Sequence, residues 1–157
     1  MSSPLLPATG IWTVAFVALH IALMVPVVNA RRKNKISIGD GTAQLEAMIK
    51  ENRSSDEIAH FKGVVKQLQF DIRCHANFTE NVPFSLIVIG GAELNGLDVK
   101  VVHTFLAILF VARVCHWRTI SDSRNHGIGI LRAVGVALTG LITLAAAIAS
   151  AVKGLGH

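Results

Sequence analysis

The chain has 157 residues, 52% hydrophobic and only 16% charged, which excludes a disordered polymer and fits one domain. A formal charge of +5 would suggest nucleic acid in a soluble chain, but here the basic residues flank apolar runs. Anionic lipid and membrane topology account for them, and no nucleic-acid partner is expected.

The first element is an uncharged run from Gly10 to Ala30, matched near the other end by Ala133 to Val152. Each is about 20 residues, enough to cross a bilayer as a helix, so the chain reads as an integral membrane protein. No Lys or Arg precedes Arg31, so the first run lacks the positive leader of a signal peptide and reads as a span. The cluster Arg31, Arg32, Lys33 and Lys35 then places the N-terminus outside and the following loop, about 31–60, in the cytoplasm. Within that loop Gly39-Asp40-Gly41 reads as a turn and Ala43 to Asn52 as a mixed-charge surface helix. Ser54 and Glu57 are spaced as a capping box, from which a second long helix starts before the membrane.

Two further uncharged runs, Asn81 to Ala92 and Val101 to Ala112, are too short to span alone. Extended over their polar flanks they give four spans, at about 10–30, 66–92, 99–119 and 129–152. The connection Glu93-Leu94-Asn95-Gly96-Leu97-Asp98 has Asn-Gly turn chemistry, which makes the second and third spans antiparallel neighbours. Arg118, Arg124 and Arg132 make the third loop basic, so both termini fall on the non-cytoplasmic side. The expected fold is all-α: a single domain, 1–157, built as an up-down-up-down four-helix membrane bundle. Gly90-Gly91-Ala92 offers a site for close approach of another copy of the chain.

Extending the middle spans draws ionisable groups to membrane depth, where they are costly and mark function. Arg73, Asn77 and Glu80 stand at i, i+4 and i+7, one narrow helical face. Together they supply a carboxylate-binding fork, a two-way hydrogen bonder and an acceptor for an ammonium, a set suited to a small zwitterionic ligand. The purely structural use of the same residues is an Arg73–Glu80 ion pair bracing the bundle. Pro83, a turn further on, removes a backbone bond to Thr79 and bends the helix. On the third span Arg113 and His116 are i, i+3 neighbours, with Trp117 as an interfacial anchor and snorkelling as the alternative use of Arg113. Cys74-His75 and Cys115-His116 echo one another, but adjacent side chains diverge by about 100° on a helix, and no metal or haem is expected. Two cysteines are too few for a disulfide framework. His20 and His103 read as packed or hydrogen-bonded residues.

The run RCHANFTENVPF, residues 73–84, resembles the second-helix motif of the MAPEG family (membrane-associated proteins in eicosanoid and glutathione metabolism). AELNGLDVKVVHTFLAILFVARVCHW, residues 92–117, is similar to the family's third-helix region, especially in small bacterial-type members, and LRAVGVALT from Leu131 is similar to the start of its fourth helix. The resemblance implies a homotrimer of four-helix bundles with glutathione, as co-substrate, bound between subunits near the cytoplasmic side. By the same resemblance Arg73, Asn77 and Glu80 match glutathione-contacting positions, Arg31 a basic position reaching a neighbour's ligand, and His116 a third-helix polar position; Arg113, its i, i+3 neighbour, joins them as a candidate binding residue. The thiol-activating arginine corresponds to Arg132 or to Arg124. Asn81 and Ile120 stand where family enzymes commonly carry Tyr, and the chain has no Tyr at all. The implied activity is a membrane glutathione transferase acting on a lipophilic small molecule; the alternative is a non-catalytic lipid-binding scaffold of the same fold. The implied site is the endoplasmic reticulum membrane in a eukaryote or the inner membrane in a bacterium.

Overall fold

A computed structural model describes residues 5–121 and 129–155. The elements in chain order are α1 (Pro7–Lys33), α2 (Thr42–Lys50), α3 (Ser55–Leu94), α4 (Val99–Ser121) and α5 (Ile130–Leu155). Among the described residues every regular element is helical. Three helices are long and apolar enough to cross a membrane: Pro7–Lys33, the Val99–Arg118 part of α4, and Ile130–Leu155. In these the most apolar stretches are only 17%, 33% and 22% buried. Their hydrophobic side chains therefore face outward, as lipid requires and water penalises. The protein is an integral membrane protein. Measured by composition α3 does not qualify as a span, because its charges interrupt the apolar run.

Local chemistry explains the helix boundaries. Pro7 opens α1, where its missing N–H costs nothing, and Arg31, Arg32 and Lys33 close it against the negative end of the helix dipole. Ser54 and Glu57 form the expected capping box, with Glu57 N donating to Ser54 Oγ at 3.3 Å and Ser54 N to Glu57 Oε2 at 3.3 Å. From that cap α3 runs 40 residues without a break, through Pro83. At 1.5 Å per residue it is about 60 Å long, twice the hydrocarbon core of a bilayer.

α1 packs against α3 and α4, and α5 packs against the same two helices. The core between them holds Phe16, Leu19, Leu23, Phe78, Val82, Ile89, Leu106 and Leu109. Trp12 and Phe16 stack on Phe110 with ring centroids 5.9 and 5.5 Å away, and Trp12 Nε1 donates to His103 Nδ1 at 3.0 Å. A smaller cluster of Val27, Ile36 and Leu68 ties the start of the first loop to α3. Gly41 is left-handed at φ 88, and a Cβ there would lie 2.9 Å from Ile36 Cδ1, so this turn needs glycine on both counts.

One expectation is corrected at the end of α3. Glu93 belongs to the helix rather than to the turn, and it is buried. Its carboxylate accepts from Ala8 N at 2.8 Å, Thr9 N at 3.0 Å and Thr9 Oγ1 at 2.6 Å. Because Leu6 gives α1 no side-chain cap and its first turn has no acid, Glu93 supplies both the cap and the counter-charge for the helix dipole. The small residues beside it are likewise used within the chain: Gly90 lies under Thr9 and Leu6, Gly91 faces Ser150, and Ala92 is fully buried. Within the chain they admit α1 and α5.

Removing this carboxylate should therefore loosen α1. Glu93→Ala is expected to cost about 2 kcal/mol or more, in the range of charge-assisted hydrogen bonds, with Glu93→Gln in between. Thermal unfolding in detergent checks the order; equal stability of all three proteins contradicts the cap.

Candidate functional site

A guanidinium in the interior must find acceptors, and Arg113 of α4, 3% exposed, finds them on both neighbouring helices. Nη1 donates to Asn77 Oδ1 of α3 at 2.8 Å and Nη2 to the Gly135 carbonyl of α5 at 2.6 Å. Nε is buried without a partner. Among the described residues no carboxylate lies within ion-pair distance of Arg113.

The second of these bonds depends on how closely α4 and α5 approach. A Cβ built on Gly135 would lie 2.7 Å from the Ala112 carbonyl and 3.2 Å from His116 Cβ. Glycine is the residue that permits the crossing. The Gly135 carbonyl also accepts from Thr139 Oγ1 at 2.9 Å, and a polar seam continues between α5 and α3. Thr143 Oγ1 lies 2.7 Å from Ser85 Oγ, Ser85 Oγ donates to the Asn81 carbonyl at 2.9 Å, and Asn81 Nδ2 donates to the Asn77 carbonyl at 2.8 Å. In lipid such side-chain bonds replace the water that helices in solution would use.

His116, buried, sits beside Arg113, and both Arg113 and Arg132 lie within its electrostatic reach. Arg132 is exposed in the first turn of α5. Leu23, Cys74, Asn77, Phe78, Arg113, His116 and Trp117 enclose a cavity of about 10 Å³, no more than one water occupies. The other two members of the α3 triad are more open on the same face: Arg73 and Glu80 are exposed and Asn77 is half-buried. No ion pair joins Arg73 to Glu80, so the bracing use of that pair is not what this chain shows. Asn77 thus stands at the rim, its amide oxygen taken by Arg113 behind it and its neighbours Arg73 and Glu80 open in front.

Arg31 lies elsewhere. Val27 packs near Leu68, which leaves Arg31, a turn beyond Val27, outside the level of Arg73 within one chain. It donates through Nη2 to the Gly39 carbonyl at 2.8 Å. Arg124 falls outside the described residues. Among the described residues no three His, Cys, Asp or Glu side chains are grouped to hold a metal ion.

Three features of this region escape a sequence reading. Gly135 carries a weak signal, since a glycine inside a helix is destabilising unless packing demands it. The Ser85–Thr143 pair and the contact of His20 with His75, ring centroids 4.9 Å apart, join helices whose pairing no local pattern specifies. His75 Nε2 is buried without a partner.

The crossing at Gly135 is open to a paired test. Gly135→Ala should force α4 and α5 apart, weaken the Arg113 bond and cost about 1–3 kcal/mol, as overpacking does. Gly140→Ala, on the same helix with nothing within 4 Å, should be neutral or slightly stabilising. Unfolding midpoints in detergent check the contrast, and two equal shifts would refute the close crossing.

No curated protein and no solved structure matches the chain. The model of the MAPEG family matches residues 9–152, which takes in α1, the polar rim on α3, Arg113 and His116 on α4, and nearly all of α5. On that match the chain belongs to the MAPEG family, a family of membrane proteins.

Proposed function

We propose that the protein is a homotrimeric membrane glutathione transferase, adding the glutathione thiolate to a lipophilic electrophile that arrives through the bilayer. The observation that carries this reading is the outward placement of Arg73 and Glu80 beside Asn77. A cavity of about 10 Å³ behind them is far too small for a tripeptide, so a ligand for this triad lies against the outer face of α3. Charged groups on the outer face of a membrane helix need a polar cover. Glutathione and a second copy of the chain together provide one. In this reading α3 supplies the second of four spans in a four-helix bundle, and Arg31 of an adjacent copy reaches the ligand. Arg113 fixes Asn77 from behind, with His116 lining the same small cavity.

The chemistry follows from the thiol. A nearby guanidinium favours the thiolate and lowers its pKa, and Arg132, or Arg124, has that role. The thiol proton goes to solvent. The sulfur pair forms a carbon–sulfur bond to the electrophile, and either a leaving group departs or the resulting carbanion takes a proton from water.

A second reading is the lipid-binding scaffold, and one observation favours it. Asn81 stands where a tyrosine is common in the family, and its amide donor is spent on the Asn77 carbonyl rather than offered to a ligand.

Calorimetric titration of the detergent-purified protein with glutathione separates binding from its absence. Arg73→Ala and Glu80→Gln should raise the Michaelis constant for glutathione about tenfold or more while saturated turnover changes less. Arg132→Ala should leave affinity nearly intact and raise the apparent thiol pKa, so that turnover lost at neutral pH returns in part as pH rises. The same signature in Arg124→Ala moves the role there. A wild type that binds glutathione yet shows neither thiolate absorbance nor any conjugate defeats the enzyme and leaves the scaffold.

Topology is checked separately. In a chain lacking Cys74 and Cys115, maleimide labelling of Ser55→Cys and Asn95→Cys should report opposite sides of the membrane, the first cytoplasmic. Same-side labelling overturns the four-span arrangement, and native mass spectrometry showing monomer alone overturns the trimer.

A further inference from the structure

Away from the α3 triad, the end of α1 carries a second concentration of charge. Arg31, Arg32, Lys35 and Ser37, with Val28 and Ile36, line an open pocket of about 370 Å³. Three cations and a hydroxyl meet there, and no carboxylate is among the lining residues. The nearest acid in sequence, Asp40, is turned elsewhere: its carboxylate accepts from Gln69 Nε2 at 2.7 Å and from Thr42 N at 3.0 Å. Those bonds, Gln69 first, hold it down to about 2.

The backbone is arranged around this charge at some cost. Lys35 is left-handed at φ 56, the position that follows a helix end and that glycine ordinarily fills. A lysine there is strained. Its carbonyl is held by Gln44 Nε2 at 3.1 Å and the adjoining Ile36 is buried, so the loop is fixed in that shape. Arg31 spends Nη2 on the Gly39 carbonyl while its Nε stays buried without a partner.

Below the pocket the surface is apolar. Ile21, Val25, Val28 and Arg32 are spaced i, i+4, i+7 and i+11, one stripe along α1. Ile21 and Val25 are 48% and 43% exposed, and the helix that carries them is a membrane span. A charged pocket at the membrane boundary is thus continuous with an acyl-chain-length stripe beneath it. We infer that this pocket binds the phosphate of an anionic phospholipid between Arg32 and Lys35, with Ser37 as an added donor and one acyl chain along Ile21, Val25 and Val28.

The charge selects among lipids. A zwitterionic headgroup carries an ammonium that three uncompensated cations repel, whereas an anionic one gains from each of them. The stripe selects lipid over free phosphate, which has no chain to lay on it. The inference needs neither Arg73 nor Glu80 and seats the phosphate between Arg32 and Lys35, so that of the pocket's cations only Arg31 is shared with the proposed glutathione site.

The test is native mass spectrometry of the full chain in detergent with phosphatidylglycerol, phosphatidylcholine or inorganic phosphate added, and with glutathione as a further competitor. Phosphatidylglycerol should bind with at least tenfold preference over phosphatidylcholine and survive excess phosphate and glutathione. Arg32→Gln with Lys35→Gln should weaken it by roughly twenty-five-fold, about five-fold per cation removed near an anionic surface. Lys50→Gln with Lys62→Gln, exposed outside the pocket, should leave it unchanged. Lys35→Gly guards against a folding artefact, because it relieves the left-handed strain and should hold or raise the unfolding temperature while still weakening the lipid. Equal binding of the two lipids, displacement by phosphate or glutathione, or full retention in the pocket variants overturns the inference.

Discussion

Arg113 is a cation in the protein interior that no acid neutralises among the described residues, and its two hydrogen bonds govern how the surrounding helices are placed. One holds Asn77 of α3 and the other the Gly135 carbonyl of α5. Neither acceptor is charged, so distance matters: a neutral carbonyl repays a buried guanidinium only at close range. That requirement explains the glycine at 135, where a single methyl would collide with the Ala112 carbonyl. The interior around Arg113 is in this sense fixed by the fold, and Asn77 is held at its rim by Arg113.

Two levels of the bundle solve the same problem with opposite charges. Near Asn77 a cation collects carbonyl and amide oxygens; at the other level Glu93 collects the N–H groups of α1. Between them the Ser85–Thr143 contact bridges α3 and α5. Hydrocarbon offers no competing hydrogen bonds, so these few polar contacts give positions to helices whose apolar faces alone would pack in several registers. Outside this frame, Arg73, Glu80 and the basic pocket at the end of α1 are free to meet other molecules.

Local features of the chain were legible in its sequence, and relations between distant segments were not. The capping box of Ser54 and Glu57 is a three-residue relation and appears where the residues say. The uncharged runs of α1 and α5 and the all-helical character follow from length and composition. Arg73, Asn77 and Glu80 were legible as one face, but not that Asn77 turns toward Arg113 while its companions stay outside. Spacing gives angle around a helix and says nothing about which neighbour fills each angle. Gly90, Gly91 and Ala92 announce a close contact, yet the same small residues serve a second copy or α1 equally well. Glu93 read as a turn residue because its partners lie 84 and 85 positions away.

That separation bears on the order in which the protein is made. Ala8 and Thr9 leave the ribosome long before Glu93 exists, so α1 enters the membrane with its first N–H groups uncapped. Unsatisfied backbone donors are costly in hydrocarbon and cheap in water, which favours this end of α1 at a wet surface until Glu93 comes to it. Only then does the carboxylate replace water and the pair become buried. The first helix therefore takes its final depth from the third, and the N-terminal quarter of the chain acquires its full stability after more than half of the sequence has been synthesised.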